Sequence, residues 1–206
     1  MDPHWTEPLE KIVRKCAEHA LALSWAHEAS QRWTASWNTR LMFPSIILSS
    51  LVGVGSVGSS ALLPFENAST LVGIVSITVS VLQTIQNYFA FAKRSESHRI
   101  ASLQYSKLHS QLSLQLALPR NERKPAEDTI DFIRAETEKL ADVAPIIPVA
   151  VKEEFKRRFE KMEDYSIPPL LNGLDRVEIT ALNTITTGET SAPSIAPPRP
   201  IVRVEV

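Results

Sequence analysis

Gly53-Val54-Gly55-Ser56-Val57-Gly58 reproduces the G-x-G-x-x-G spacing that lets a backbone close on a dinucleotide pyrophosphate. That chemistry needs a strand before the glycines, an amphipathic helix after them and an acidic residue about 20 positions on to hold a ribose. Here the glycines interrupt nothing: they lie inside an unbroken apolar run, and no carboxylate stands near Ser76. His4, His19, His27, His98 and His109 show no H-x-x-x-H spacing, and neither a nucleophile elbow nor a G-x-x-x-x-G-K-[ST] loop is present. His27 and His98 read as hydrogen-bonded helix residues rather than ligands. Cys16 is the only cysteine, which excludes an intramolecular disulfide and a thiolate cluster and leaves it to pack as a small apolar residue. The expectation is a non-enzymatic chain with no metal and no cofactor.

The same glycines fit a packing role. Ser45, Ser49, Gly53, Ser56 and Ser60 recur at helical spacing, as do Gly73, Ser76, Ser80, Gln83, Thr84 and Asn87. Folding the chain about the break between the two sets brings Ser49 to Thr84, Gly53 to Ser80 and Ser60 to Gly73. Lipid gives no hydrophobic push between helices, so small residues and interhelical hydrogen bonds, each about 0.6 to 2 kcal/mol, must hold them. Two uses remain open: packing alone, or a water-filled path lined by Gln83, Gln86 and Asn87 when several copies assemble. No charge is embedded in the stripe, which argues against a pump.

The elements that position these residues are two apolar blocks, 41–63 and 70–92, separated by Pro64-Phe65-Glu66-Asn67-Ala68-Ser69, in which Glu66 is the only charge between Arg40 and Lys93. Each block has 23 residues, about 34 Å as a helix, against about 30 Å of bilayer hydrocarbon. The fold expected is therefore an all-α membrane protein built on a two-transmembrane helical hairpin, 42–92. Trp33, Trp37, Arg40, Tyr88, Lys93 and Arg94 flank the spans as interface anchors, and Pro44 falls in the first turn of the first span. Lys and Arg crowd the outer flanks and are absent from the connecting loop, which places both termini in the cytosol or its equivalent.

Before the hairpin, 1–41 reads as an amphipathic cytosolic helix with Leu9, Ile12, Val13, Cys16, Ala20, Leu23, Ala26, Trp33 and Trp37 along one side. After it, 93–164 is a cytosolic helical region: the second span runs on as helix to about Leu118, Pro119 stops it, a helix opens at Pro125, and another follows Pro148. The mixed charges of that last helix read as a solvated face, not a nucleic-acid patch. Residues 165–206 form a Pro/Ser/Thr-rich tail, extended or disordered, whose end, 201–206, alternates like an edge strand for a protein partner. The start of the chain lacks the apolar core of a secretory signal, and Asp2 stands where myristoylation needs glycine.

The order of features resembles the SLATT domain, a two-transmembrane effector module. The likeness rests on Arg40-Leu41-Met42-Phe43-Pro44 at the membrane entry, the Gly/Ser-rich span, Tyr105-Ser106-Lys107-Leu108, the Leu118-Pro119-Arg120-Asn121-Glu122-Arg123 break and Ala144-Pro145-Ile146-Ile147-Pro148, and covers about residues 5–158. It implies a membrane effector that assembles into homo-oligomeric pores when a nucleotide-based sensor triggers it. No sensor is fused to this chain, so a trigger would come from a partner. The competing expectation is a structural scaffold that ties a bilayer to a protein layer, such as a virion or coat, through the helices and tail; a helical subunit of a larger channel is a third.

Overall fold

Pro8 lies in the first turn of a helix, where its missing N–H costs nothing, and Pro44 is the one interior proline before Leu62. The computed structural model, which describes residues 5–62, 68–159 and 166–172, carries this sequence as one helix, α1 (Glu7–Leu62), 56 residues and about 84 Å long. The sequence reading treated the N-terminal helix and the first span as separate units meeting near Leu41; in the fold they are continuous through Pro44. An interior proline costs a helix about 3 kcal/mol, through a lost hydrogen bond and ring crowding. Polar groups gather at this turn. The Ser45 hydroxyl donates to the Leu41 carbonyl at 2.8 Å, and Gln86 Nε2 from the second helix donates to the same carbonyl at 2.9 Å and to Ser45 Oγ at 2.7 Å.

The second helix, α2 (Ala68–Phe89), returns beside α1 and is followed by α3 (Phe91–Ala117). One unbroken helix to about Leu118 was expected here. Ala90 instead adopts a left-handed conformation, φ 46° and ψ 44°, and divides it. For a residue with a Cβ that conformation costs about 1–2 kcal/mol, and it persists only where the surroundings over-determine it. They do so here: α2 is held to α1 by Gln86, α3 is held by a Ser95 hydroxyl donating to the Gln31 carbonyl at 3.3 Å, and the rings of Phe89 and Phe91 stack across Ala90 at 5.4 Å.

Below that point α1 and α3 pack antiparallel along most of their length. Ser24 donates to the Ser102 carbonyl at 3.1 Å, His109 Nδ1 donates to the Ala17 carbonyl at 2.9 Å, and Trp5 Nε1 donates to the Lys124 carbonyl at 2.9 Å. The approach is close because the buried side of α1 is made of small residues, Ala17, Ala20, Ala26 and Ser30, set against Tyr105, Leu108 and Leu112 of α3. The buried stripe drifts from the one expected: Ile12, Trp33 and Trp37 are exposed, and Thr34 joins Ser30, which belongs to the expected side, in facing inward, their hydroxyls bonded to carbonyls one turn back.

After Pro119 and a single 3-10 turn, α4 (Ala126–Val143) packs on α3, with Glu127 and Asp128 in its first turn where the helix dipole favours them. α5 (Val149–Phe159) packs on α1, with Phe155 and Phe159 edge-on to Trp25 at 5.5 and 5.3 Å. A short α6 (Pro169–Asn172) adds Leu171 to the same core. Among the described residues all regular structure is helical. The calls on the loop around Glu66 and on the tail beyond Asn172, including the strand at 201–206, lie outside the described residues.

Candidate functional site

The stretch Ser69–Ala117 contains a window long and apolar enough to cross a membrane, with mean hydropathy 1.4 and only 6% of it buried. Met42, Phe43, Ile46, Ile47, Leu51 and Val54 on α1 are likewise exposed, as are Leu71, Ile74, Ile77, Val81 and Ile85 on α2. The expected interface anchors are all exposed as well. Trp33 and Trp37 meet edge-on at 6.1 Å, the Arg40 guanidinium lies 5.5 Å over the Trp37 ring, and Tyr88 packs edge-on to Phe89 at 5.1 Å. Lys93 and Arg94 open α3 just beyond them.

The contact between α1 and α2 is not the one the small residues suggest. On α1 Ser45 and Gly55 are buried, with Leu41, Leu48, Ser49 and Val52 partly covered; on α2 Val79 is buried, with Val72, Val75, Ser76, Leu82 and Gln86 partly covered. Gly53, Gly73, Ser80, Gln83, Thr84 and Asn87 are exposed, and a Cβ added at Gly53 or Gly73 would meet nothing within 4 Å. Ser49 is thus partly covered while Thr84, Gly53 and Ser80 stay exposed. Gln86 reaches Leu41 and Ser45 about a turn lower on α1 than folding about the loop predicts. The side chains of Ser56 and Ser60 are outside the described residues.

Helical geometry explains where the unused residues go. At about 100° per residue the stripe Gly73, Ser80, Gln83, Thr84, Asn87 is centred about a quarter turn from the Val79 contact face, and Ser49 and Gly53 are offset in the same rotational sense from Ser45. In an antiparallel pair, equal-handed offsets on the two helices end on the same side. Gly53, Gly73, Ser80, Gln83, Thr84 and Asn87 therefore form one exposed edge along the hairpin, flanking the contact.

At the base of this hairpin lies a buried pair, His27 and His98, each 2% exposed, with Nδ1 atoms 3.0 Å apart. Such a bond needs one Nδ1 to donate and the other to accept, so the two neutral rings hold opposite tautomers. His27 also stacks on Tyr105, ring centroids 5.5 Å apart and 8° from parallel. Burial, reinforced by His98, pushes His27 down to about 4; burial and the nearby Arg94 lower His98; burial raises Tyr105. At the far end, Glu10 accepts two hydrogen bonds from Arg120 at 2.8 Å and another from Arg123, which hold its carboxyl down at about 2. Arg123 also donates to the Leu116 and Leu118 carbonyls and lies 5.2 Å over the Trp5 ring. The sequence reading missed this clamp, because Glu10 and Arg120 stand 110 positions apart and nothing local pairs them; only the Leu118–Arg123 motif hinted at it.

No protein-family model matches the chain, and no curated protein and no solved structure matches it. Among the described residues no group of three or more His, Cys, Asp or Glu is arranged to hold a metal ion.

Proposed function

We propose that the chain is a non-enzymatic two-span membrane protein, both termini on the cytosolic side, whose hairpins assemble through their polar edges into a pore or membrane-perturbing oligomer. The observation that carries this reading is that the α1–α2 contact leaves Gly73, Ser80, Gln83, Thr84 and Asn87 exposed on one side. A carboxamide facing hydrocarbon is costly, and a second copy or a water-filled path meets that cost. The exposed apolar side chains of both α1 and α2 support lipid as the solvent of the remaining surface. The SLATT resemblance agrees with this reading, and adds a partner-borne trigger. Dye-loaded liposomes provide the test: the wild-type chain leaks dye as its density rises, and Gln83→Leu with Asn87→Leu abolishes the leak while insertion persists. Tight vesicles at every density of the wild type would sink the proposal.

A further inference from the structure

Nine consecutive residues, Val143 to Val151, carry no charge between Asp142 and Lys152, and they span the turn from α4 to α5. Ile147 and Val151 point into the core, whereas Val143, Ile146 and Val149 are 63%, 91% and 69% exposed. Such exposure has no reason in a helix-to-helix turn, where polar residues would serve. Its location supplies one. Pro145, Ile146 and Pro148 line a cavity of about 280 Å³ together with Trp33, Phe91 and Arg94, which lie on α1 ahead of its apolar block and in the first turn of α3. From Phe91 to Arg94, both lining this cavity, the helix rises about 4.5 Å, within the depth of one headgroup layer, about 5–8 Å.

We propose that this turn is a third membrane contact: Val143, Ile146 and Val149 seat in the headgroup layer of the bilayer that the hairpin crosses. The inference rests on the hairpin reading and adds a peripheral footing to it. Ile146, the most exposed of the three, shares its cavity with Trp33 and Phe91 at the hairpin end of the base, and that continuity makes lipid the occupant. Two of the five connector residues, Pro145 and Pro148, lack the N–H that lipid would leave unbonded. Arg94, exposed at the same cavity, brings a cation to the level of lipid phosphates. The consequence is that α4 and α5 are fixed against the membrane plane, so a movement of the base is transmitted to the ends of both spans.

The test places one environment-sensitive fluorophore on the full chain in a Cys16→Ala background, reconstituted in phosphatidylcholine vesicles with nitroxides at the headgroup or deep in the acyl chain. Ile146→Cys carries the probe, with Ile77→Cys in mid-span and Arg157→Cys on the outside of α5 as references. The expected result is blue-shifted emission at 146 and quenching by the headgroup nitroxide several-fold stronger than at 157, with 77 quenched by the deep nitroxide. Emission at 146 as aqueous as at 157, with 77 still deep, would overturn the inference and leave the hairpin standing. A probe at 77 in water would remove both. A shielded probe at 146 that no lipid nitroxide quenches would mean that a protein surface or second copy covers the patch, and would also overturn the lipid assignment.

Discussion

His27 and His98 are the residues through which pH enters the fold. A histidine whose folded value is depressed from 6.5 to about 4 takes up its proton more readily in the unfolded chain. Its contribution is therefore whole above about pH 6.5, declines as pH falls through that range and is gone near 4. The size is roughly 3 kcal/mol for His27. Glu10 acts at lower pH and in the carboxylate sense: its stabilisation is present above about 4.5 and is lost as pH falls towards 2. Thermal unfolding in detergent should show a drop in midpoint between pH 7 and 4.5 for the wild type and a much flatter profile for His27→Gln; equal profiles would remove the histidine pair as the cause. Ala90 gives a second prediction. Ala90→Gly relieves the left-handed strain and should stabilise by about 1 kcal/mol, while Ala90→Val should destabilise by at least as much. Unfolding midpoints that move together would show that the residue is helical in solution.

At the scale of elements, α1 is held to α3 by Ser24 and the His27–His98 pair and to α2 by Gln86, while Trp5 and Glu10 tie the start of the chain to the turn that follows α3. Gln86 links the polar chemistry of α2 to the proline turn of α1. Gln86→Leu should cost roughly 1 kcal/mol, because interhelical bonds in lipid are modest, with loss of protection at the amides following Pro44 in hydrogen exchange. Unchanged protection there would show that Ser45 alone satisfies the turn. Helix content and the proline-marked ends near Pro119, Pro125 and Pro148 were legible in the sequence, because propensity and periodicity act locally. Ala90 was not, since alanine is the strongest helix former and the break comes from helices pinned on both sides of it. The rotation of α2 was also hidden. Small residues mark where helices could approach, and here valines at 72, 75 and 79 of α2 share the contact with Ser45 and Gly55 of α1, while Gly53 and Gly73 are left exposed.

Within the described residues, the upper part of α1 and α2 stand beyond a base built from α3, α4, α5 and the start of α1. The apolar upper part exposes large side chains on both helices, and the base buries its own. The tail beyond Asn172, on which the scaffold reading leaned, lies outside the described residues, so the weight falls on the polar edge. The edge itself could be anticipated as residue types, Gln83 to Asn87 above all, but not as a side of the hairpin, because that depends on the angle at which α1 meets α2. Disulfide trapping in vesicles tests the central claim most directly. In a Cys16→Ala background Ser80→Cys lies on the polar edge and Ile74→Cys on the apolar side. Mild oxidation should link copies through position 80 and leave position 74 as monomer. Monomer at 80 with ready linking at 74 would contradict assembly through the polar edge.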